Sequence, residues 1–175
     1  MTAGNRDSWS VSSWHITTGD QDPDTVNRLL RSLPGWFGIE SSVAHYVAKA
    51  HELPTYLALP ATESPGRVAE RQPVGVLLAA RHFRDSAEIY LMAVKPSLHR
   101  RGIGRALVEE LETDLIADSA HLLQVKTLGP SQPDAGYDQT RKFYARTGFR
   151  PLEEIHGLWP GNPCLLMVKV LEPAT

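Results

Sequence analysis

Residues 94–112 read VKPSLHRRGIGRALVEELE. Gly102 and Gly104 stand there among Arg100, Arg101 and Arg105. Positions 95–105 hold four fixed positive charges, with Lys95 as the fourth, and no acid. Further on, Ile103, Leu107, Leu111 and Leu115 recur every four residues. That period predicts an amphipathic helix over 101–119, with Glu109, Glu110, Glu112 and Asp114 off its apolar face. Pro96 ends the preceding strand, and Ser97 and Leu98 carry the chain round to the helix. Two glycines at such a helix start remove side chains and bare backbone N–H groups, to which the helix dipole adds positive potential. The pattern asks for a phosphate, and three kinds of phosphate ligand compete.

A dinucleotide needs a third glycine and a ribose-binding acid about 20 residues on. Leu107 occupies the glycine position, and the next strand carries Gln124 and Lys126 instead of an acid. A mononucleotide P-loop needs Gly-Lys-Ser/Thr, which is absent. Nucleic acid needs stacking aromatics along a basic groove. None is interleaved here, and the helix beyond is acidic. A pyrophosphate held mainly by backbone N–H groups, with arginines reaching outer phosphates, fits the residues best.

The whole chain sets limits on this. It has 175 residues and a formal net charge of −2, so a basic feature matters only locally. Hydrophobic residues make up 42%, enough for one domain with a sizeable core. The single cysteine, Cys164, excludes a disulfide framework within the chain and any cysteine-rich zinc site. The seven histidines show no metal-ligand spacing, so no metal is expected. With no apolar run of membrane-spanning length and no signal-like start, a cytoplasmic protein away from membranes is expected.

Outward from the central segment, the chain alternates strand and helix patterns. Residues 1–8 are expected to be a loose tail, 9–171 the domain and 172–175 a second tail. Residues 10–19 suggest a first strand, 22–33 and 42–53 two helices, and 54–61 a short strand. Residues 64–73 suggest a loop. Residues 74–83 and 87–94 suggest an antiparallel hairpin joined by Arg84, Asp85 and Ser86. A strand over 121–129, a loop over 130–136 and a helix over 140–147 follow, with Gly148 as its C-cap. Closing strands are expected over 149–155 and 164–171. The order β-α-α-β-β-β-α-β-α-β-β defines a single α/β (α+β) domain. About seven strands would form a mixed, largely antiparallel sheet flanked by about four helices.

At this point a family resemblance is visible. Residues 94–107, from Val94-Lys95-Pro96 through His99-Arg100-Arg101-Gly102-Ile103-Gly104, resemble the acyl-CoA motif of the GNAT superfamily of N-acetyltransferases. That motif is Gln/Arg-x-x-Gly-x-Gly/Ala after a strand ending in Val-x-Pro. Phe143-Tyr144-Ala145-Arg146-Thr147-Gly148-Phe149 resembles the family's Phe-Tyr-x-x-x-Gly-Phe. The two stand in order and at the family's spacing, and the resemblance covers about residues 9–171. Two positions depart from the pattern. His99 replaces the usual Gln or Arg. Tyr137 stands seven residues before Tyr144, where Asn is common.

The resemblance implies transfer of an acetyl group from acetyl-CoA to a primary amine of a small molecule or peptide, by direct attack in a ternary complex. It implies Glu88 as general base and Tyr144 as general acid. Strand alternation would put Glu88, Tyr90 and Met92 on one face, with Ile89, Leu91 and Ala93 on the other. An apolar strand would raise the Glu88 pKa, and a phenol is a suitable proton donor to a thiolate. A bulge or splay at Met92, Ala93 and Val94 would free backbone groups for the cofactor arm. His99, Arg100, Arg101, Gly102, Ile103, Gly104 and Arg105 would hold the pyrophosphate, with Tyr137 a further cofactor contact. Trp36, Phe37, Glu40, Tyr90 and Trp159 would meet the acceptor, and aromatics beside carboxylates would suit a cationic amine. His45 and Tyr46 follow the same helical loop. Cys164 is read as a small buried hydrophobe, not as a nucleophile. An acyl-CoA sensor without turnover and a nucleic-acid or protein-interaction domain are the alternatives from other classes. Nucleic acid is not an expected partner. Edge strands near the C-terminus make a homodimer possible.

Overall fold

The computed structural model describes residues 14–19, 21–61 and 72–172. The tail at 1–8, the start of the strand expected at 10–19, most of the loop at 64–73 and nearly all of the tail at 172–175 lie outside the described residues. The elements run β1 (Trp14–Thr18), α1 (Pro23–Arg31), α2 (Glu40–Lys49), β2 (Thr55–Pro60), β3 (Gly75–Phe83), β4 (Ser86–Val94), α3 (Ile103–Ala117), β5 (Leu122–Leu128), α4 (Ala135–Arg146), β6 (Arg150–Trp159) and β7 (Asn162–Val170). Seven strands form one sheet in the order β1-β2-β3-β4-β5-β7-β6. Among the described strands only the β4–β5 pair is parallel. Crossing between parallel neighbours requires a helix on one face, and α3 supplies it.

The sheet is covered on both sides. Leu107, Val108, Leu111 and Leu115 of α3 pack with Ile89, Val125, Met167 and Tyr144 on one face. Val26, Leu29 and Leu30 of α1 pack with Val43, Val76, Leu78, Leu91 and Ala93 on the other. Two of the helices start at capping acids that take up a first-turn N–H. Asp22 accepts from the Thr25 amide and Pro23 takes the first position of α1. Asp134 accepts from the Tyr137 amide at 2.8 Å and so begins α4 at Ala135, five residues ahead of the expected 140. That cap turns the end of the expected loop into helix and puts Tyr137 on the first turn. The last hairpin is also longer than expected, with β6 running to Trp159 and the chain turning at Gly161 (φ +72°).

The alternation expected along β4 holds only as far as Tyr90. Leu91 lies opposite Leu78, but Ile89 lies opposite Ala79. One residue, Tyr90, is therefore extra on β4, which is a β-bulge. Beyond it the side chains change face. Ala87 and Ile89 belong to the core under α3, and Met92 and Val94 pack against that core. Leu91 and Ala93 belong to the core under α1 and α2. Glu88 and Tyr90 thus share a face with Leu91, and Met92 does not.

Close packing ties α3 to the sheet at Gly75. A Cβ there would lie 2.8 Å from Ile103 Cγ2, and 3.3 Å from both Ala58 Cβ and Leu107 Cδ1. Ile103 opens α3 and is buried, so it has nowhere to turn. Gly75→Ala is expected to cost about 1–3 kcal/mol by overpacking. Urea unfolding measures this, and a wild-type midpoint would contradict the contact.

Candidate functional site

The β4–β5 pairing begins at Ser86↔Leu122 and ends at Ile89↔Val125. From there β4 stays with β3 as far as Val94↔Gly75, while β5 stays with β7 as far as Leu128↔Cys164. The two strands part, and the edges of residues 90–94 and 126–128 face each other unpaired. A cleft of about 770 Å³ fills the gap. Its walls include Tyr90–Val94 of β4, Val125–Thr127 of β5, the start of α3 and one side of α4. Thr127 Oγ1 is buried in this wall with no hydrogen-bond partner among the described residues.

One end of the cleft is the start of α3. Gly102 caps the helix at φ +83° with open space where a Cβ would be, so backbone conformation is what calls for glycine there. The first backbone bond of the helix runs from the Ala106 amide to the Gly102 carbonyl at 2.9 Å. The amides of Ile103, Gly104 and Arg105 precede it and have no intrahelical acceptor. Gly104 allows a close approach of another kind, because a Cβ would meet Phe143 at 3.3 Å and Met92 Cε at 3.6 Å. Arg100 holds φ +64°, an uncommon conformation for a side-chain-bearing residue, and lines the cleft. Arg105 and Lys142 also line it, each paired to an acid of its own helix, Glu109 and Asp138. Arg146 lines it from α4.

His99 does not present a donor to that end. Its Nε2 lies 2.8 Å from the Val94 carbonyl, which can only accept, so Nε2 carries the proton and spends it on the end of β4. Its ring meets Trp36 edge-on at 5.9 Å. Arg101 lies outside the cleft walls, where its carbonyl accepts from Trp14 Nε1. Tyr137 lines the cleft, but its hydroxyl donates to the Trp36 carbonyl at 3.2 Å.

Aromatic residues form much of the rest of the wall: Trp36, Phe37, Tyr46, Tyr90 and Trp159 line the cleft, as does Lys126. Tyr90 shares a 2.7 Å hydrogen bond with His45. Trp36 Nε1 donates to Thr140 at 3.4 Å, and its ring rests on Gly136, where a Cβ would come within 3.1 Å. Glu40 does not reach the cleft. It forms an exposed two-pronged pair with Arg31.

Glu88 is not in the cleft wall either. It is 4% exposed, and its Oε2 accepts from Lys126 Nζ at 2.7 Å, Gln124 Nε2 at 2.9 Å and His82 Nε2 at 2.6 Å. Its Oε1 makes no hydrogen bond with a described residue. Burial pushes the carboxyl up, as the apolar strand predicts. The bonds from Lys126, His82 and Gln124, with the Lys126 charge, outweigh burial and hold the pKa below its ordinary value. The expected upward shift is thus reversed, by donors from β3 and β5 that strand alternation on β4 alone does not reveal.

Tyr144 is buried against Phe143 and Phe149 and lines the cleft. Its hydroxyl has no hydrogen-bond partner among the described residues. Burial first, then neighbouring Tyr46, raises its phenol well above the ordinary value. Burial, with Tyr137, Tyr90 and Glu88 nearby, pushes Tyr46 up to about 12. Burial and Asp134 raise Tyr137 as well. All three phenols keep their protons through neutral pH. Cys164 is fully buried, and burial raises its thiol. Among the described residues no group of three or more His, Cys, Asp or Glu is placed to hold a metal ion. No helix among them is long and apolar enough to cross a membrane.

Lys126, Thr127, Lys142 and Arg146 are wall residues that sequence reasoning did not select. Lys126 had a usable signal, since it follows Gln124 by two and so shares the face of Glu88 on the neighbouring strand.

The fold, with its splayed parallel pair beside a bare helix start, matches those of solved acetyltransferases. The Acetyltransferase (GNAT) domain family matches residues 65–151. The chain belongs to the GNAT family of acetyltransferases. Among similar folds is a protein from Desulfovibrio desulfuricans assigned to the GNAT family, at TM-score 0.73 and 20% identity, covering 91% of this chain and 99% of that one. The ribosomal-protein-S18-alanine N-acetyltransferase of Escherichia coli aligns at TM-score 0.68 and 16% identity, over 93% and 96%. An aminoglycoside 6′-N-acetyltransferase complexed with coenzyme A aligns at 0.66 and 18%, over 92% and 99%. No curated protein matches the chain by sequence.

The Glu88 cluster has a pH signature. A carboxyl whose folded pKa is depressed stabilises the fold fully above its unfolded pKa, about 4.3, and loses this as pH falls through the folded value. The melting-temperature difference between wild type and Glu88→Gln should therefore shift against wild type as pH falls below about 4. A difference independent of pH would contradict the ion pair.

Proposed function

We propose that this protein is an N-acetyltransferase that moves the acetyl group of acetyl-CoA to a primary amine of a small molecule or peptide. The observation that carries this reading is the parting of β4 from β5 directly in front of the bare start of α3. A CoA-like ligand needs one end for a pyrophosphate and a slot for a long amide arm. The amides of Ile103, Gly104 and Arg105 suit the first, with Arg100 and Arg146 for outer charge. The unpaired edges of Met92 and Ala93 suit the second, and the orphaned Thr127 hydroxyl is a further partner for an amide. Val94 offers its carbonyl less readily, since His99 occupies it.

Acetyl-CoA supplies the acyl carbon as a thioester, with the thiol as leaving group. The remaining chemistry falls to the chain. Forming the C–N bond and breaking the C–S bond takes one proton from the amine and gives one to sulfur. Tyr144 is the proposed acid. Its phenol stays protonated, faces the cleft and is committed to no other partner. Glu88 is the proposed base, acting through water because it lies behind the cleft wall. It is ionised at neutral pH and its Oε1 is uncommitted, although its depressed pKa makes it a weak base. Attack proceeds directly in a ternary complex, since Cys164 is buried with a raised thiol pKa and is poorly suited to carry the acyl group.

Saturating acetyl-CoA should raise the melting temperature, by the equivalent of about 2.7 kcal/mol at a hundredfold excess over Kd. The absence of a shift would overturn the reading. A shift without thiol release on any amine would favour an acyl-CoA sensor instead. Tyr144→Phe should lower kcat about 100-fold or more while keeping the thermal shift, and wild-type turnover would remove it from the acid role. Glu88→Gln should slow turnover more at neutral than at high pH, where more amine is already neutral. An unchanged rate profile would remove it as base.

A further inference from the structure

Resting on the acetyltransferase reading, the geometry points to an acceptor with an anionic group: we propose that the acceptor is a small apolar or aromatic amino acid whose carboxylate is held by Lys126. Among the described residues no Asp or Glu lines the cleft. Neither carboxylate expected near the acceptor lines the cleft: Glu40 pairs with Arg31 on the surface, and Glu88 lies behind the wall with its Oε2 held by three donors. Of the basic side chains in the wall, Arg100 and Arg105 come from the start of α3 and Lys142 and Arg146 from α4, which leaves Lys126 as the one beside Glu88 on the sheet.

The Lys126–Glu88 pair is oriented. Its carboxylate side chain is 5% exposed and its ammonium side chain 30%. The pair turns its positive end to the cleft. An ammonium has three N–H donors, and Lys126 spends one, on Glu88, among the described residues. The other donors can take a carboxylate, giving a charge-assisted bond in a partly desolvated place. A polyamine or aminoglycoside would instead meet the ammonium end of the pair with no carboxylate in the cleft lining to receive it, which discriminates against it.

Lys126 is separate from the phosphate end. Val125 belongs to the core under α3, so alternation turns Lys126 to the opposite face, the side of α1 and α2. Glu88 and Tyr46, which influence each other, mark that same side. The charges of Arg100 and Arg146 serve one ligand and that of Lys126 another. Trp36, Phe37, Tyr46 and Trp159 then supply an apolar enclosure for the side chain of the amino acid.

The test pairs acceptors that differ only in the carboxylate. Thiol release from acetyl-CoA is followed with L-phenylalanine, L-leucine, L-methionine and L-tryptophan, with 2-phenylethylamine, and with spermidine. At least one amino acid should exceed both amines in kcat/KM by about ten- to hundredfold, the worth of a charged hydrogen bond. Lys126→Met should collapse the ratio of phenylalanine to 2-phenylethylamine toward one, and Lys126→Arg should retain it. A general disturbance of Glu88 would lower both acceptors together and leave the ratio intact. The N-acetylated amino acids should also raise the melting temperature of the wild-type protein, and N-acetyl-2-phenylethylamine should do so far less. This product arm needs neither acetyl-CoA nor turnover. If acetyl-CoA stabilises the protein but spermidine or 2-phenylethylamine is the better acceptor, or no acetylated amino acid binds, the acceptor proposal falls and the acetyltransferase reading stands. If acetyl-CoA gives no thermal shift, the underlying reading falls first. A ratio that survives Lys126→Met overturns the role of Lys126.

Discussion

The site depends on a single failure of pairing. Parallel strands β4 and β5 stay hydrogen-bonded for four residues and then separate. Each keeps its other neighbour, so neither unpaired edge collapses onto the core. The Tyr90 bulge sits at the point of separation. It increases local twist, and it also moves Leu91 and Ala93 onto the face of α1 while Met92 turns toward α3. Unpaired backbone inside a protein is costly unless something satisfies it. A cleft that admits water or a ligand with amides of its own meets that need. The bulge, the cleft and the bare helix start form one arrangement, and the packing of Gly75 against Ile103 holds the helix start in register with the strands.

Most of this arrangement could be read in the residues. The element order, the strand before Pro96 and the helix after Gly102 follow from periodicity and punctuation. What could not be read came from contacts across the sheet. Glu88 stands in an apolar strand, and its own neighbours in sequence predict a raised pKa. Three donors from β3 and β5 reverse that, and their register is not a local property. The face of Met92 was lost for the same reason, since a bulge is specified by pairing and not by composition. Asp134 was a legible signal of another sort. An acid three residues before Tyr137 is a helix-start pattern, and it makes Tyr137 a first-turn residue instead of a loop residue.

Tyr137 and His99, the two departures from the family's motifs, converge on Trp36. The Tyr137 phenol donates to the Trp36 carbonyl, and the His99 ring meets the Trp36 ring. Trp36 reaches in turn to Thr140 and lies on Gly136. The loop between α1 and α2 is thus fastened to α4 across the cleft, by residues that replace the usual ones. Its two hydrogen bonds, at 3.2 and 3.4 Å, are long for their kind and individually weak. Apolar contact therefore carries much of the fastening.

Charge sorts the cleft with no Asp or Glu among its described lining residues. Tyr46, Tyr137 and Tyr144 are kept neutral by burial, so no phenolate arises in the wall near neutral pH. Glu88 is ionised, yet its charge is met by Lys126 and screened from the cleft by it. The wall holds donors of two kinds: Arg100, Arg146 and the free amides at the start of α3, and the ammonium end of the Lys126–Glu88 pair. A ligand with several phosphates suits the first kind, because backbone amides and flexible arginines tolerate many geometries. A single oriented ammonium suits one small anion at a fixed distance from the reacting centre. The same buried glutamate that is poorly placed to touch an amine directly is well placed to fix Lys126, and through it the position of whatever Lys126 holds.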